Sequence, residues 1–161
     1  MNADDVLKYG HLWVFKYVDG LSEAECEVPG VCGIWSVKDI IAHLASFENL
    51  LVEVLGACLG QPGPTPILDQ HNHENGDDFN ANQVGQRKGW AYGKTLDEYR
   101  VQAEKSLELV ARIPAETLRQ PGTIPWYGMQ YSLEDFIVYQ YYGHKREHMA
   151  QVAVYRDGLK R

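Results

Sequence analysis

The sequence predicts an all-α fold, a four-helix bundle running up-down-down-up with a long crossover between helices two and three. Three observations carry this. Four segments repeat apolar residues at i, i+3, i+4 spacing. Three of them open on a hydroxyl residue with an acid three positions later, the capping-box pattern. The stretch Gly60 to Lys94 separates the second and third segments, and a connection of that length lets two consecutive helices point the same way. The β-branched runs are short and lie inside helical patterns, so no strand is expected.

The first segment runs from about Asp4 to Asp19, with Leu7, Gly10, Val14, Val18 and Leu21 on one face. Ser22 with Glu25 allows a further short turn. The second starts at Ser36, boxed with Asp39, and reaches about Leu59. Its stripe is Val37, Ile40, Leu44, Phe47, Leu51, Val54, Leu55 and Cys58, with Lys38, Asn49 and Glu53 opposite. The third starts at Thr95 with Glu98, turns Leu96, Tyr99, Ala103, Leu107 and Val110 inward, and stops before Pro114. The fourth starts at Ser132 with Asp135 and reaches about Asp157, where Gly158 offers a stop.

A chain of 161 residues suits a single domain, 1–161, with one core. A net charge of −7 repels phosphate backbones, and no basic cluster suits an anionic bilayer, so neither nucleic acid nor a membrane is an expected partner. The N-terminus lacks the basic and apolar regions of a secretory leader, and no uninterrupted apolar run approaches a membrane span. Three cysteines without a CxxC pair argue against a disulfide framework or a thiolate metal site. A cytoplasmic location is the default.

The fourth segment contains a physical problem. At about 100° per residue, Gln140, His144, His148 and Gln151 fall within about 40° of His144, on the stripe of Ile137 and Tyr155, while Arg146 and Met149 point away. Two imidazoles and two amides are thus aimed at the core, and each buried without a partner costs about 1–3 kcal/mol. His43 sits at the core edge of segment two. In the expected topology segments two and four are antiparallel, and His43, His144 and His148 come to similar heights. Two histidines at i, i+4 with a third from a facing helix form a three-nitrogen metal site with room for water or substrate. The alternative is a set of hydrogen-bonded core histidines, because HxxxH is a weak motif. His71 and His73 read as part of a solvated crossover, and His11 as a packed core histidine.

The stretch Gly33-Ile34-Trp35-Ser36-Val37-Lys38-Asp39-Ile40-Ile41-Ala42-His43-Leu44-Ala45-Ser46-Phe47-Glu48 resembles the second-helix signature of the DinB-like superfamily. Gly143-His144-Lys145-Arg146-Glu147-His148-Met149-Ala150-Gln151-Val152 resembles its last-helix signature, and Pro125-Trp126 with Tyr127-Gly128 fits the approach to that helix. The resemblance implies a bundle, often a homodimer, that binds a divalent ion through His43, His144 and His148; imidazole donors suit zinc, nickel, iron or copper, with zinc or nickel the expected ion. Relatives include thiol-dependent isomerases, thiol S-transferases and a colibactin self-protection branch that hydrolyses a cyclopropane. Asp78-Phe79-Asn80 is loosely similar to that last branch.

The expected function is therefore a metal-dependent hydrolase or thiol S-transferase acting on a small reactive molecule, with a low-molecular-weight thiol as a further cofactor in the second case. A non-catalytic metal- or ligand-binding bundle is the alternative, and a crossover side chain such as His71, His73 or Asp78 in the open coordination position would favour it. A plain structural bundle would instead pair Gln140 and Gln151 with the histidines. Glu48 is the candidate general base, and Glu147 is placed to orient a ligand imidazole. Trp35, Trp126, Tyr127 and Tyr141 are the candidate walls of a substrate pocket.

Overall fold

Residues 2–61 and 63–160 are described by the structure, a computed structural model. Four long helical units carry the core: α1 (Ala3–Val18), α3 (Val37–Cys58), α6 (Tyr92–Val110) and a last unit built from α8 (Leu133–Ile137), a π-helical segment (Val138–Gly143) and α9 (His144–Leu159). Shorter helices fill the connections: α2 (Glu23–Cys26), α4 (Pro66–His73), α5 (Gly76–Gln86) and α7 (Ala115–Arg119). Ser22–Glu25, Ser36–Asp39 and Ser132–Asp135 all form reciprocal capping boxes.

Contacts along the helices give their directions. Lys38 meets the Trp90 carbonyl, Asn49 meets Glu98, and Glu48 meets Ser106, so α3 and α6 ascend together. Gly10 lies against Lys145 and Arg156 reaches the carbonyl of Tyr17, so α1 and α9 also run parallel. The ring of Trp35 meets that of His148 and the ring of Phe47 meets that of His144, so α3 and α9 are antiparallel. This is the up-down-down-up order, with the crossover between two parallel helices.

Two expectations need correction. The third helix begins at Tyr92, not Thr95, because its cap comes from elsewhere in the fold: the Tyr92 N–H donates to the Glu23 carboxylate at 3.1 Å. Glu98 is taken instead by a bidentate pair with Arg87, at 2.6 and 2.7 Å. The crossover is helical rather than a solvated loop. Glu53 of α3 accepts the N–H groups of Ile67 and Leu68, so it caps α4, and Asn75 caps α5 through the Asp78 N–H. The polar side of α3 is thereby covered by the crossover. α3 is long and apolar enough to cross a membrane by length and composition, but 67% of its most apolar window is buried in the bundle.

The core has two apolar halves. Leu7, Leu50, Leu51, Val54, Val110, Leu133, Ile137 and Tyr141 belong to one, and Val14, Val18, Ile40, Leu44, Ala103, Met149 and Val152 to the other. Between them lies a polar layer to which every main helix contributes: His11 from α1, Glu48 from α3, Tyr99 and Ser106 from α6, Lys145 from α9. Lys145 Nζ lies 2.5 Å from Glu48 Oε1, with each side chain 1% exposed. Ser106 donates to Glu48 at 3.1 Å, the Tyr99 hydroxyl pairs with His11 Nδ1 at 2.9 Å, and the other ring nitrogen faces Glu48 at 3.7 Å. Burial, then the Lys145 charge, keeps His11 well below its ordinary pKa. Gly10 makes room for the layer, since a Cβ there would stand 3.2 Å from the Lys145 stem.

A buried ion pair contributes little net stability, but removing one partner strands the other charge, at about 3–5 kcal/mol. Glu48→Leu and Lys145→Met are each expected to lower unfolding free energy by about that amount, and the double variant to recover most of it. Denaturant titration of all four proteins checks this, and additive losses would rule the pairing out.

Candidate metal centre

The three histidines expected from the sequence do converge. One ring nitrogen from each of His43, His144 and His148 lies within 4.8 Å of the others. His43 Nε2 is 2.8 Å from His144 Nε2, which is 3.0 Å from His148 Nε2. α3 supplies the first ring, and adjacent turns of α9 supply the other two. Trp35, in the loop before α3, sets its ring 4.9 Å from that of His43 at a tilt of 44°.

The remaining ring nitrogens decide what this triangle can hold. His148 Nδ1 donates to Gln151 Oε1 at 2.9 Å. His144 is hydrogen-bonded to the Gln140 backbone carbonyl, an acceptor only, so its proton sits on that side. The Nε2 atoms of His144 and His148 then present lone pairs to each other at 3.0 Å. His43 can lend a single proton to the triangle, and its Nδ1 is buried without a partner. Two lone pairs face to face repel, and a cation between them removes the repulsion. Nitrogens around a tetrahedral zinc stand about 3.3 Å apart, a few tenths of an ångström beyond the spacing here. The donor set therefore fits a divalent ion.

Electrostatics favour the neutral ligands. Burial, then the neighbouring imidazoles, lowers His43 to about 2. Burial, then His148 and Lys145, lowers His144 to about 3. Burial also lowers His148, partly offset by Gln151 and Glu147.

A cavity of about 610 Å³ opens on the triangle, walled by Trp35, Phe47, Asn80, Tyr139, Gln140 and Glu147 among others. Trp126, Tyr127 and Tyr141 are not on that wall; with His71 they line a neighbouring slot of about 90 Å³. Glu48 is fully buried in the polar layer and lines neither space. Among the described residues no crossover histidine, cysteine or carboxylate joins the triangle. His73 bonds the Asp69 carbonyl, Asp78 bonds Asn75, and the His71 ring packs edge-on to Phe47, Phe79 and Trp126.

One orientation differs from expectation. Met149 is fully buried rather than pointing away, and Lys145, which the stripe did not include, is buried with it. The inward face of α9 is wider than two imidazoles: His144 and His148 turn toward α3, while Lys145 packs close to Gly10 of α1. The π segment just upstream breaks the 100° phase by which the unit was read as one regular helix. Lys145 was legible as the single charged residue in the row Tyr141–Lys145–Met149, and Asn80 carried no periodic signal.

The sign of the pH dependence follows from the lowered values. Unfolded histidines titrate near 6.5, above the folded values, so the unfolded chain binds more protons in acid and metal-free stability falls as pH drops below about 6.5. Each histidine adds a slope of up to about 1.4 kcal/mol per pH unit. Metal-free His43→Leu is expected to lose stability less steeply than wild type between about pH 5.5 and 4.5, by up to that amount. Parallel slopes in denaturant melts would contradict a neutral, buried His43.

A family model described as the DinB superfamily matches residues 14–152. No curated protein and no solved structure matches the chain. With the match spanning most of the sequence, and the bundle and histidine triangle in place, the chain belongs to the DinB superfamily.

Proposed function

We propose that this protein is a divalent-metal enzyme, a hydrolase or thiol S-transferase for a small reactive molecule, with zinc or nickel held by His43, His144 and His148. The observation that carries the reading is the pair of enforced Nε2 lone pairs, 3.0 Å apart, at the foot of a 610 Å³ cavity. When bound, the ion supplies Lewis acidity, because three neutral imidazoles leave its full positive charge available to a nucleophile or electrophile.

The chain's own residues do the rest. Gln151 and the Gln140 carbonyl hold two rings in the tautomer that points Nε2 inward. Trp35 and Phe47 flank the His43 ring, at 4.9 Å each, and restrict water on that side. Glu147 is the carboxylate on the cavity wall and is exposed, so it is placed to take a proton from an incoming water or thiol. Glu48, the base expected from the sequence, serves in this reading to hold Lys145.

The alternative, a non-catalytic metal- or ligand-binding bundle, would be favoured by a fixed side chain in the open coordination position. The placement of His71, His73 and Asp78 away from the triangle favours the enzyme. A purely structural bundle needs both glutamine side chains on the histidines. Gln151 meets that demand, but the Gln140 amide turns to Tyr127 instead, at 3.5 Å.

Elemental analysis of purified protein is expected to find about one divalent ion per chain and a large loss in His144→Ala and His43→Ala. Equal metal content in wild type and variants would end the proposal. With metal present, turnover that requires an added low-molecular-weight thiol assigns the transferase, and turnover with water alone assigns the hydrolase.

A further inference from the structure

The crossover sets two polar atoms against the site and leaves both without partners. His71 Nδ1 and Asn80 Oδ1 are buried and unbonded. Leaving such an atom unpaired costs about 1–3 kcal/mol. Neighbouring crossover residues are not left so. Gln70 and Asn82 both donate to Glu74, Gln83 donates to Gln70, and Arg87 donates to Gln83. The two orphans are thus a local feature of the side facing α3 and the last helical unit.

They border two adjoining spaces. Asn80 lines the cavity over the histidines, and His71 lines the slot of about 90 Å³. Phe47 and Gln140 wall both, so the slot lies beside the histidine cavity. Its volume equals roughly three waters of liquid, enough for a compact apolar group. Its walls are mainly aromatic and aliphatic, with Leu50, Trp126 and Phe136 among them. Such a lining selects neutral groups, because an ionised one would lose its hydration without a counter-charge.

We infer that this slot is the specificity pocket of the site: it seats a neutral aromatic or compact apolar end of the substrate. That end carries a hydroxyl or N–H which meets His71, and a second donor nearer the reacting end meets Asn80. Placing the reacting end at the histidines rests on the function proposed above. The slot and its ligand class do not depend on it.

The test uses the full chain in two arms. In the first, metal-free protein is titrated with benzyl alcohol and with toluene, following the Trp126 indole resonance by NMR, assigned with Trp126→Phe. Both probes are expected to shift it, with benzyl alcohol about three- to tenfold tighter, as one hydrogen bond allows. His71→Leu should bring that ratio to about one, and Leu50→Phe, which fills the slot, should abolish both shifts. If Leu50→Phe melts far below wild type, Tyr127→Trp is the second blocking variant. Absent shifts, or shifts unchanged by blocking, overturn the slot.

In the second arm, cobalt-loaded protein is titrated with benzohydroxamate and acetohydroxamate, which share a metal-binding head. The phenyl probe is expected to bind about tenfold tighter or more, and only in the unblocked protein. Equal affinities, with benzyl alcohol still bound, overturn the placement of the slot in line with the histidines. Failure to take up cobalt, with the first arm intact, sinks the metal-centre reading and supports the slot by itself.

Discussion

The pairing of Glu48 with Lys145 is the constraint on which the rest of this bundle turns. Both charges are shut away from water between two apolar halves of the core. An apolar helix interface tolerates sliding and rotation, since one methyl contact replaces another at little cost. A buried lysine tolerates neither, because a shift that breaks its single counter-ion leaves a charge in a medium that cannot solvate it. The pair therefore fixes both the height and the rotation of α9 against α3. His144 precedes Lys145 by one residue, and His43 lies five residues, about 7.5 Å, before Glu48. The register that satisfies the ion pair is the register that brings the imidazoles together.

The same logic explains why the polar groups form two separate sets. In the inner layer each charge and ring has a partner within the chain: lysine with glutamate, glutamate also with serine, histidine with tyrosine. On the flank toward the cavity the pairing is incomplete by construction. His43 keeps a free Nδ1, and two lone pairs confront each other. A fold can hold such frustration only where its surroundings are stiff, and the closed layer next to it provides that stiffness. A polar shortfall at one face, next to a layer whose charges are paired, is what the proposed centre has and a merely polar core lacks.

The four main helical units, their order and the convergence of the three histidines are legible because each rests on local pattern or on arithmetic along a helix. What was not legible depends on partners remote in the chain. Thr95 and Glu98 carry a good capping pattern, yet Glu23 captures the Tyr92 N–H first and Arg87 captures Glu98. The crossover lacks strong periodicity because its helices are short and are capped partly by Glu53 of α3. Glu48 read as a candidate base because it is a carboxylate near an apolar face; only its partner Lys145, on another helix, gives it a different task. The buried width of α9 is not legible from one stripe, because the helix packs on two partners: His144 and His148 meet α3, while Lys145 packs against Gly10 of α1.

The π segment from Val138 to Gly143 accounts for how one helix serves two interfaces. A regular α-helix continuing from Phe136 and Ile137 would keep a single stripe toward the core. A π turn inserts extra residues into the winding and advances everything after it. Upstream, Phe136 and Ile137 pack into the first apolar half of the core. Downstream, α9 needs Lys145 directed at the interior and His144 and His148 directed at α3 at once. The wider π turn places Gln140 and Gly143 on the cavity wall, and the Gln140 carbonyl there accepts the hydrogen bond that sets the His144 tautomer. The irregular winding thus lets one continuous helix close the core with its lysine and furnish an open site with its neighbouring histidines.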